Sequence, residues 1–273
     1  MEVAGLNEIN EYVKAVIMGI VEGLTEFLPV SSTGHMILAG RLLDFEGDIA
    51  DTFKVVIQLG AVLAVLVLYW KRFIGFLNVT PAALKRPGIN IIHVIIAMIP
   101  FVITGFTIHG FIKERLFGPT PVLIGLVAGG VLMILADRYR GKVSAETMDE
   151  ISYKQAFGIG LFQCLAVWPG FSRSGSTISG GMLLGTSQKA AAEFTFIVSV
   201  PVMFGATAYD LYKSRDFLTS ADIPLFLVGL VAAFAVAMIA IITFLNLVKR
   251  LSLSWFAYYR FVLAIAFFII LYL

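Results

Sequence analysis

Charge is what this chain has least of. Only 14% of its 273 residues are charged, against 59% that are hydrophobic. A soluble domain carries about 25% charged residues, so an ordinary water-soluble domain is excluded. A net charge of +2 supplies no basic surface for nucleic acid. There is one cysteine, Cys164, which rules out an internal disulfide; it reads as a small apolar filler in a helix. No zinc-ligand spacing, Walker A loop or GxGxxG turn is present. The N-terminus is acidic (Glu2, Glu8, Glu11) and lacks the basic leader of a cleaved signal peptide.

Long apolar runs are abundant. Mean hydropathy is +0.92, and six segments are long enough to cross a bilayer core of about 30 Å: 52–70, 91–111, 121–139, 190–210, 223–247 and 255–273. Two further segments, 12–44 and 156–188, are different. Each is a short apolar helix of about 16 residues or fewer, a proline break, and a second helix of about 10. Pro29 sits where the backbone must leave the first helix. Paired half-length helices meeting at a polar tip predict re-entrant hairpins, with irregular backbone buried in protein or lining a cavity. A shift of 141 residues superposes Gly19 on Gly160, Glu22 on Gln163, Phe27 on Trp168, Ser31 on Ser172, Gly34 on Gly175 and Phe53 on Phe194. The expectation is an all-α integral membrane protein, one membrane domain over 1–273. It would be built from inverted repeats at 12–140 and 156–273, each a hairpin plus three spans, with a site near the midplane at the repeat interface.

Basic residues predict the orientation. Lys71, Arg72, Lys85 and Arg86 fall on one side with Lys249 and Arg250, and Arg138, Arg140 and Lys142 join them. The positive-inside rule makes that side cytoplasmic. The acidic stretch Asp44, Glu46, Asp48 and Asp51 then lies outside. The first hairpin would enter from outside, the second from the cytoplasm, and their tips would meet.

The polar chemistry is concentrated in those tips, EGLTEFLPVSSTGH from Glu22 to His35 and PGFSRSGST from Pro169 to Thr177. Glu22 and Glu26 are one helical turn apart and face the same way. At low dielectric both stay ionised only beside a proton, a cation or an arginine. Ser31, Ser32, Thr33 and Gly34 read as the N-cap of a short helix beginning near His35, and Ser172, Arg173, Ser174 and Gly175 do the same in the second tip. Helix N-termini accept anions, and the Arg173 fork matches phosphate or carboxylate. Arg173 reads equally as the ion-pair partner of Glu22 or Glu26. The residues leave His35 open as nucleophile, base or acid, while His93 and His109 read as structural span-end residues. GxxxG spacings at Gly19/Gly23, Gly125/Gly129 and Gly181/Gly185 permit close helix approach, within the chain or across a homodimer.

These two stretches, with WPGFSRSGSTISGGMLLG and the Asp210–Lys213 run, resemble the signatures of the bacterial undecaprenyl-diphosphate phosphatases of the bacitracin-resistance type. The likeness covers nearly the whole chain. It implies an inner-membrane hydrolase that converts a long-chain polyprenyl diphosphate to its monophosphate and recycles the lipid carrier of cell-wall synthesis. It implies a divalent cation, Mg2+ or Ca2+; Glu22 and Glu26 would bind it as metal ligands, or one of them would serve as base. Glu22, Glu26, Ser32, His35 and Arg173 carry over as active-site residues, with Ser31, Thr33, Ser172 and Ser174 as phosphate ligands; Gly34 and Gly175 are expected beside them in the substrate site. Ser32 or His35 would attack the phosphorus, or activate water; Ser32 is the favoured nucleophile, with His35 taking its proton and the site open to the outer side. The alternative is a transporter or flippase of polyprenyl-phosphate lipid built on the same inverted-repeat site.

Overall fold

The computed structural model describes residues 10–108, 116 and 118–272; His109, Glu2 and Glu8 lie outside them. The described residues are helical: α1 Glu11–Thr25, α2 Ser32–Leu42, α3 Asp48–Leu68, α4 Trp70–Phe76, α5 Pro81–Leu84, α6 Ile91–Thr107, α7 Pro119–Tyr139, α8 Tyr153–Gln163, α9 Arg173–Leu183, α10 Gln188–Ser214, α11 Ile223–Leu247 and α12 Leu253–Tyr272. Among them the one β pairing is an isolated bridge, Ala145 with Thr186. Five helices are long and apolar enough to cross a membrane: α3, α7, α10, α11 and α12. The sixth expected span, 91–111, is described as helix only over Ile91–Thr107. At 17 residues that helix rises about 25 Å. The short second helices also start where their caps dictate. Ser31 caps α2, which opens at Ser32 rather than near His35.

α3 has its ends at opposite faces of the bundle, and contacts sort the other segments between those faces. At the α3 N-terminal face, the Lys14 ammonium donates to the Asp44 carbonyl at 3.2 Å, and the Thr52 and Ser214 hydroxyls lie 2.9 Å apart. At the other face, Arg72 donates to both carboxylate oxygens of Asp149, one of them at 2.7 Å. Asp137 accepts from the amide and hydroxyl of Ser254 at 2.7 and 2.6 Å. The α1–α2 pair therefore starts and finishes at the first face. The α8–α9 pair starts and finishes at the second, where Ser144 N–H donates to Gly185 O and Ser187 N–H to Ala145 O, both at 2.8 Å.

The two pairs are seated reciprocally. α1 packs on α11, from the second half of the chain, and α8 packs on α6, from the first. Glycine makes both contacts possible. A Cβ on Gly19 would strike the Gly229 carbonyl, and one on Gly160 would strike the Ala97 carbonyl. Gly23 faces the Ala233 carbonyl in the same way, while Gly125 and Gly129 face the 169–171 backbone. These GxxxG faces are occupied within the chain. Beneath the paired helices, Phe27, Phe196 and Phe244 belong to one core, with Phe27 edge-on to Phe196 at 5.0 Å.

Gly160→Ala should therefore destabilise the protein by about 1–3 kcal/mol through overpacking. Gly105→Ala, at a helical position with nothing within 4 Å of the new methyl, should be neutral or gain up to about 1 kcal/mol from helix propensity. Thermal unfolding in detergent measures both, and equal effects would contradict the close seating of α8 on α6.

Candidate active site

Proline and the need for caps shape the first turn. α1 ends at Thr25, with Glu26 N–H still donating to the Glu22 carbonyl at 2.9 Å. The chain then breaks at Pro29 and restarts at Ser31. Ser31 has φ 70°, and its hydroxyl accepts from Gly34 N–H at 3.4 Å. In the second turn Ser172 has φ 75°, and its hydroxyl accepts from Gly175 N–H at 3.1 Å. The two serines are related by the 141-residue shift. Each holds a left-handed conformation that costs a non-glycine residue about 1–3 kcal/mol, a strain that concentrates at functional sites.

The turns touch. Arg173 Nη2 lies 2.7 Å from Glu26 Oε1, with both side chains nearly buried. The Ser174 hydroxyl donates to the Leu28 carbonyl at 2.9 Å. Glu26 Oε2 accepts from the Ser32 hydroxyl at 2.5 Å, a short bond of the charge-assisted kind. The Arg173 guanidinium also lies 5.9 Å from the centre of the Phe27 ring.

Three polar atoms are left over. Both carboxylate oxygens of Glu22 are buried without a hydrogen-bond partner, and so is Arg173 Nη1. Glu22 is 0% exposed and its charged neighbours are Glu26 and Arg173. Two carboxylates and one guanidinium leave one negative charge over, which calls for a cation or a proton. Two carboxylates with phosphate oxygens completing the shell are a usual Mg2+ arrangement, and Ca2+ takes the same hard oxygen donors. For the expected cation the free donors are the two Glu22 oxygens, while Glu26 already accepts from Arg173 and Ser32. Among the described residues no cluster of three or more acidic, histidine or cysteine side chains offers an all-protein metal cage.

A cavity of about 180 Å³ opens against this group. Glu26, Ser31, Ser32, Thr33, Ser172 and Arg173 supply polar groups to its wall, while Phe101, Trp168 and Met203 supply an apolar side. Its remaining polar side chain, Gln58, was not singled out in the sequence, although it interrupts the apolar run of α3. Ser174 and Gly175 lie behind the wall, and the Gly34 amide is spent on Ser31.

His35 is elsewhere. Nδ1 is 2.8 Å from the Ser31 carbonyl and Nε2 is 2.7 Å from the Tyr259 hydroxyl. The carbonyl can only accept, so Nδ1 carries a proton. The expected relay from Ser32 to His35 is not formed, because the Ser32 hydroxyl is turned to Glu26. A second cavity, about 170 Å³, lies near Val56, Leu218 and Phe226. Its polar members Thr219 and Asp222 bond each other, so it offers little chemistry.

The chain matches the family of bacitracin resistance protein BacA over residues 15–266. It belongs to that family. The family is one of undecaprenyl pyrophosphate phosphatases, and the match spans both turns and every helix that carries a polar group of the cavity. His93, a residue of no catalytic promise in the sequence, stacks on Tyr153 at 4.0 Å and bonds Asn90 at the start of α6. Cys164 is a free, half-buried thiol.

Glu26→Ala and Arg173→Met should each cost about 3–5 kcal/mol, since either leaves a buried charge unpaired. The double variant should lose clearly less than the sum. Additive losses in a double-mutant cycle, read by thermal unfolding in detergent, would contradict the contact between the turns.

Proposed function

We propose that this protein hydrolyses a long-chain polyprenyl diphosphate, undecaprenyl diphosphate in the first instance, to the monophosphate and inorganic phosphate. The observation that carries this reading is the set of orphaned polar atoms between the turns. Two free oxygens on Glu22 and one free nitrogen on Arg173 are the complement of a cation and an anionic oxygen. Phosphoryl transfer depends mainly on positioning and charge stabilisation. Arg173 would hold the diphosphate against the α2 and α9 N-termini. Glu22 and Glu26 would hold the divalent cation, which supplies charge neutralisation on the phosphate oxygens when bound.

Ser32 is the proposed nucleophile. Its oxygen attacks the terminal phosphorus, the bond from that phosphorus to the bridging oxygen breaks, and the electron pair leaves on the lipid monophosphate. The hydroxyl proton goes to Glu26, its partner at 2.5 Å. Water then cleaves the phosphoserine and releases phosphate. His35, bonded to Ser31 and Tyr259, would hold the first turn in place.

We read the helix pairs α1–α2 and α8–α9 as re-entrant hairpins of an inverted repeat. The reading is supported by each pair's return to the face it started from, by the reciprocal seating on α11 and α6, and by the matched serine caps. The face bearing Arg72, Arg138 and Lys249 would be cytoplasmic, by the positive-inside rule. The cavity would then serve lipid from the outer side of a bacterial inner membrane.

The test is phosphate release by purified protein in detergent, given polyprenyl diphosphate with Mg2+, Ca2+ or chelator. Release should depend on the metal, and Glu22→Gln, Arg173→Ala and Ser32→Ala should each lower it by about 100-fold or more. Full activity in Ser32→Ala would remove it as nucleophile. Absence of release from folded protein would favour the other reading that reciprocal halves support, a carrier of the same lipid. Movement of labelled lipid between vesicle leaflets would then decide.

A further inference from the structure

Arg260 lies inside α12, 0% exposed, with no carboxylate paired to it among the described residues. Its guanidinium is committed to backbone. Nε donates to Leu126 O at 3.1 Å, Nη2 to Gly125 O at 3.0 Å and Gly170 O at 2.8 Å, and Nη1 to Phe171 O at 2.9 Å. One side of this fork grips α7, and the other grips the turn that leads into Arg173. Gly129 leaves room for it, since a Cβ there would meet the guanidinium. Burying a cation costs several kcal/mol even after relaxation. The usual remedy is a carboxylate, which would cancel the charge; carbonyl dipoles hold it here and leave its field intact.

The Phe171 carbonyl shares a peptide plane with the Ser172 N–H. In a trans peptide the two point to opposite sides, and the described chain has no cis bonds. Drawing that carbonyl back to Arg260 turns the Ser172 amide away from it. Ser172 lines the cavity and Arg260 does not. Nη1 also packs beneath the first turn of α9, about where a side chain on Gly175 would begin.

We propose that Arg260 is a positioning residue for the anion site. It fixes the Phe171–Ser172 peptide so that the Ser172 N–H faces the cavity beside Arg173, and it sets a second, uncancelled positive charge behind that turn. The inference rests on the reading of the cavity as a diphosphate site.

Two variants test it in purified protein. Arg260→Lys keeps the charge and loses the fork. Replacing Ser172 by its α-hydroxy acid deletes the amide N–H and keeps the Arg260 side chain should the first variant fold poorly; the ester also weakens the Phe171 carbonyl as an acceptor for Arg260, so both changes fall on the one peptide the proposal concerns. Affinity for inorganic pyrophosphate is read from the shift in melting temperature, alongside kcat and KM for phosphate release. Both variants should bind pyrophosphate about tenfold more weakly, and kcat should fall about 100-fold while KM moves less. Unchanged pyrophosphate affinity and kcat in the hydroxy-acid form, or in a folded Arg260→Lys protein, would overturn the proposal. So would unmodified protein that binds no pyrophosphate. Unmodified protein that binds pyrophosphate but releases no phosphate would count against the phosphatase reading alone; weakened binding in the variants would still uphold the role of Arg260.

Discussion

The ion pair between Glu26 and Arg173 is the contact on which the site depends. One partner sits at the end of α1 and the other at the start of α9, 147 positions away. Neither turn could bury its charge alone at acceptable cost, because an unpaired ion in a low-dielectric interior loses several kcal/mol of solvation. Each turn therefore completes the other. The pairing is deliberately incomplete in one sense: it uses one nitrogen of the guanidinium and leaves Glu22 unanswered. A fully satisfied network would be a structural staple. This one has capacity left for a charged ligand.

The surrounding fold exists to bring two broken helices into register. Glycines let α1 and α8 lie against carbonyls of α11 and α6, which sets how deep each turn sits. Serines at positive φ close the turns and aim the short helices. The strain at Ser31 and Ser172 is tolerated because packing on both sides over-determines it. Phe27 and its aromatic neighbours then exclude water beneath the pair, which strengthens every electrostatic contact above them.

Much of this was legible in the sequence, for identifiable reasons. Hydropathy marks α3, α7, α10, α11 and α12 because a bilayer demands long apolar runs. The carboxylates Glu22 and Glu26 and the arginine Arg173 stand out because polar groups are rare in such runs. The same rule applied to Arg260, which lies within an apolar run of α12, yet that segment read as a plain span. A charge answered by backbone carbonyls has no sequence partner to betray it. Gln58 was overlooked for a similar reason, since its role depends on which way α3 is rotated. The direction of the Ser32 hydroxyl was beyond reach as well. Spacing along the chain places Ser32 and His35 near each other, whereas the turn geometry hands the hydroxyl to Glu26 and His35 to Tyr259.

The most direct test of the composite site is anomalous diffraction from crystals grown with Mn2+ and a non-hydrolysable methylene diphosphonate. One metal peak is expected against Glu22 and Glu26, with phosphonate oxygens on Arg173. A diphosphonate bound elsewhere, with Glu22 still unpartnered, would contradict it.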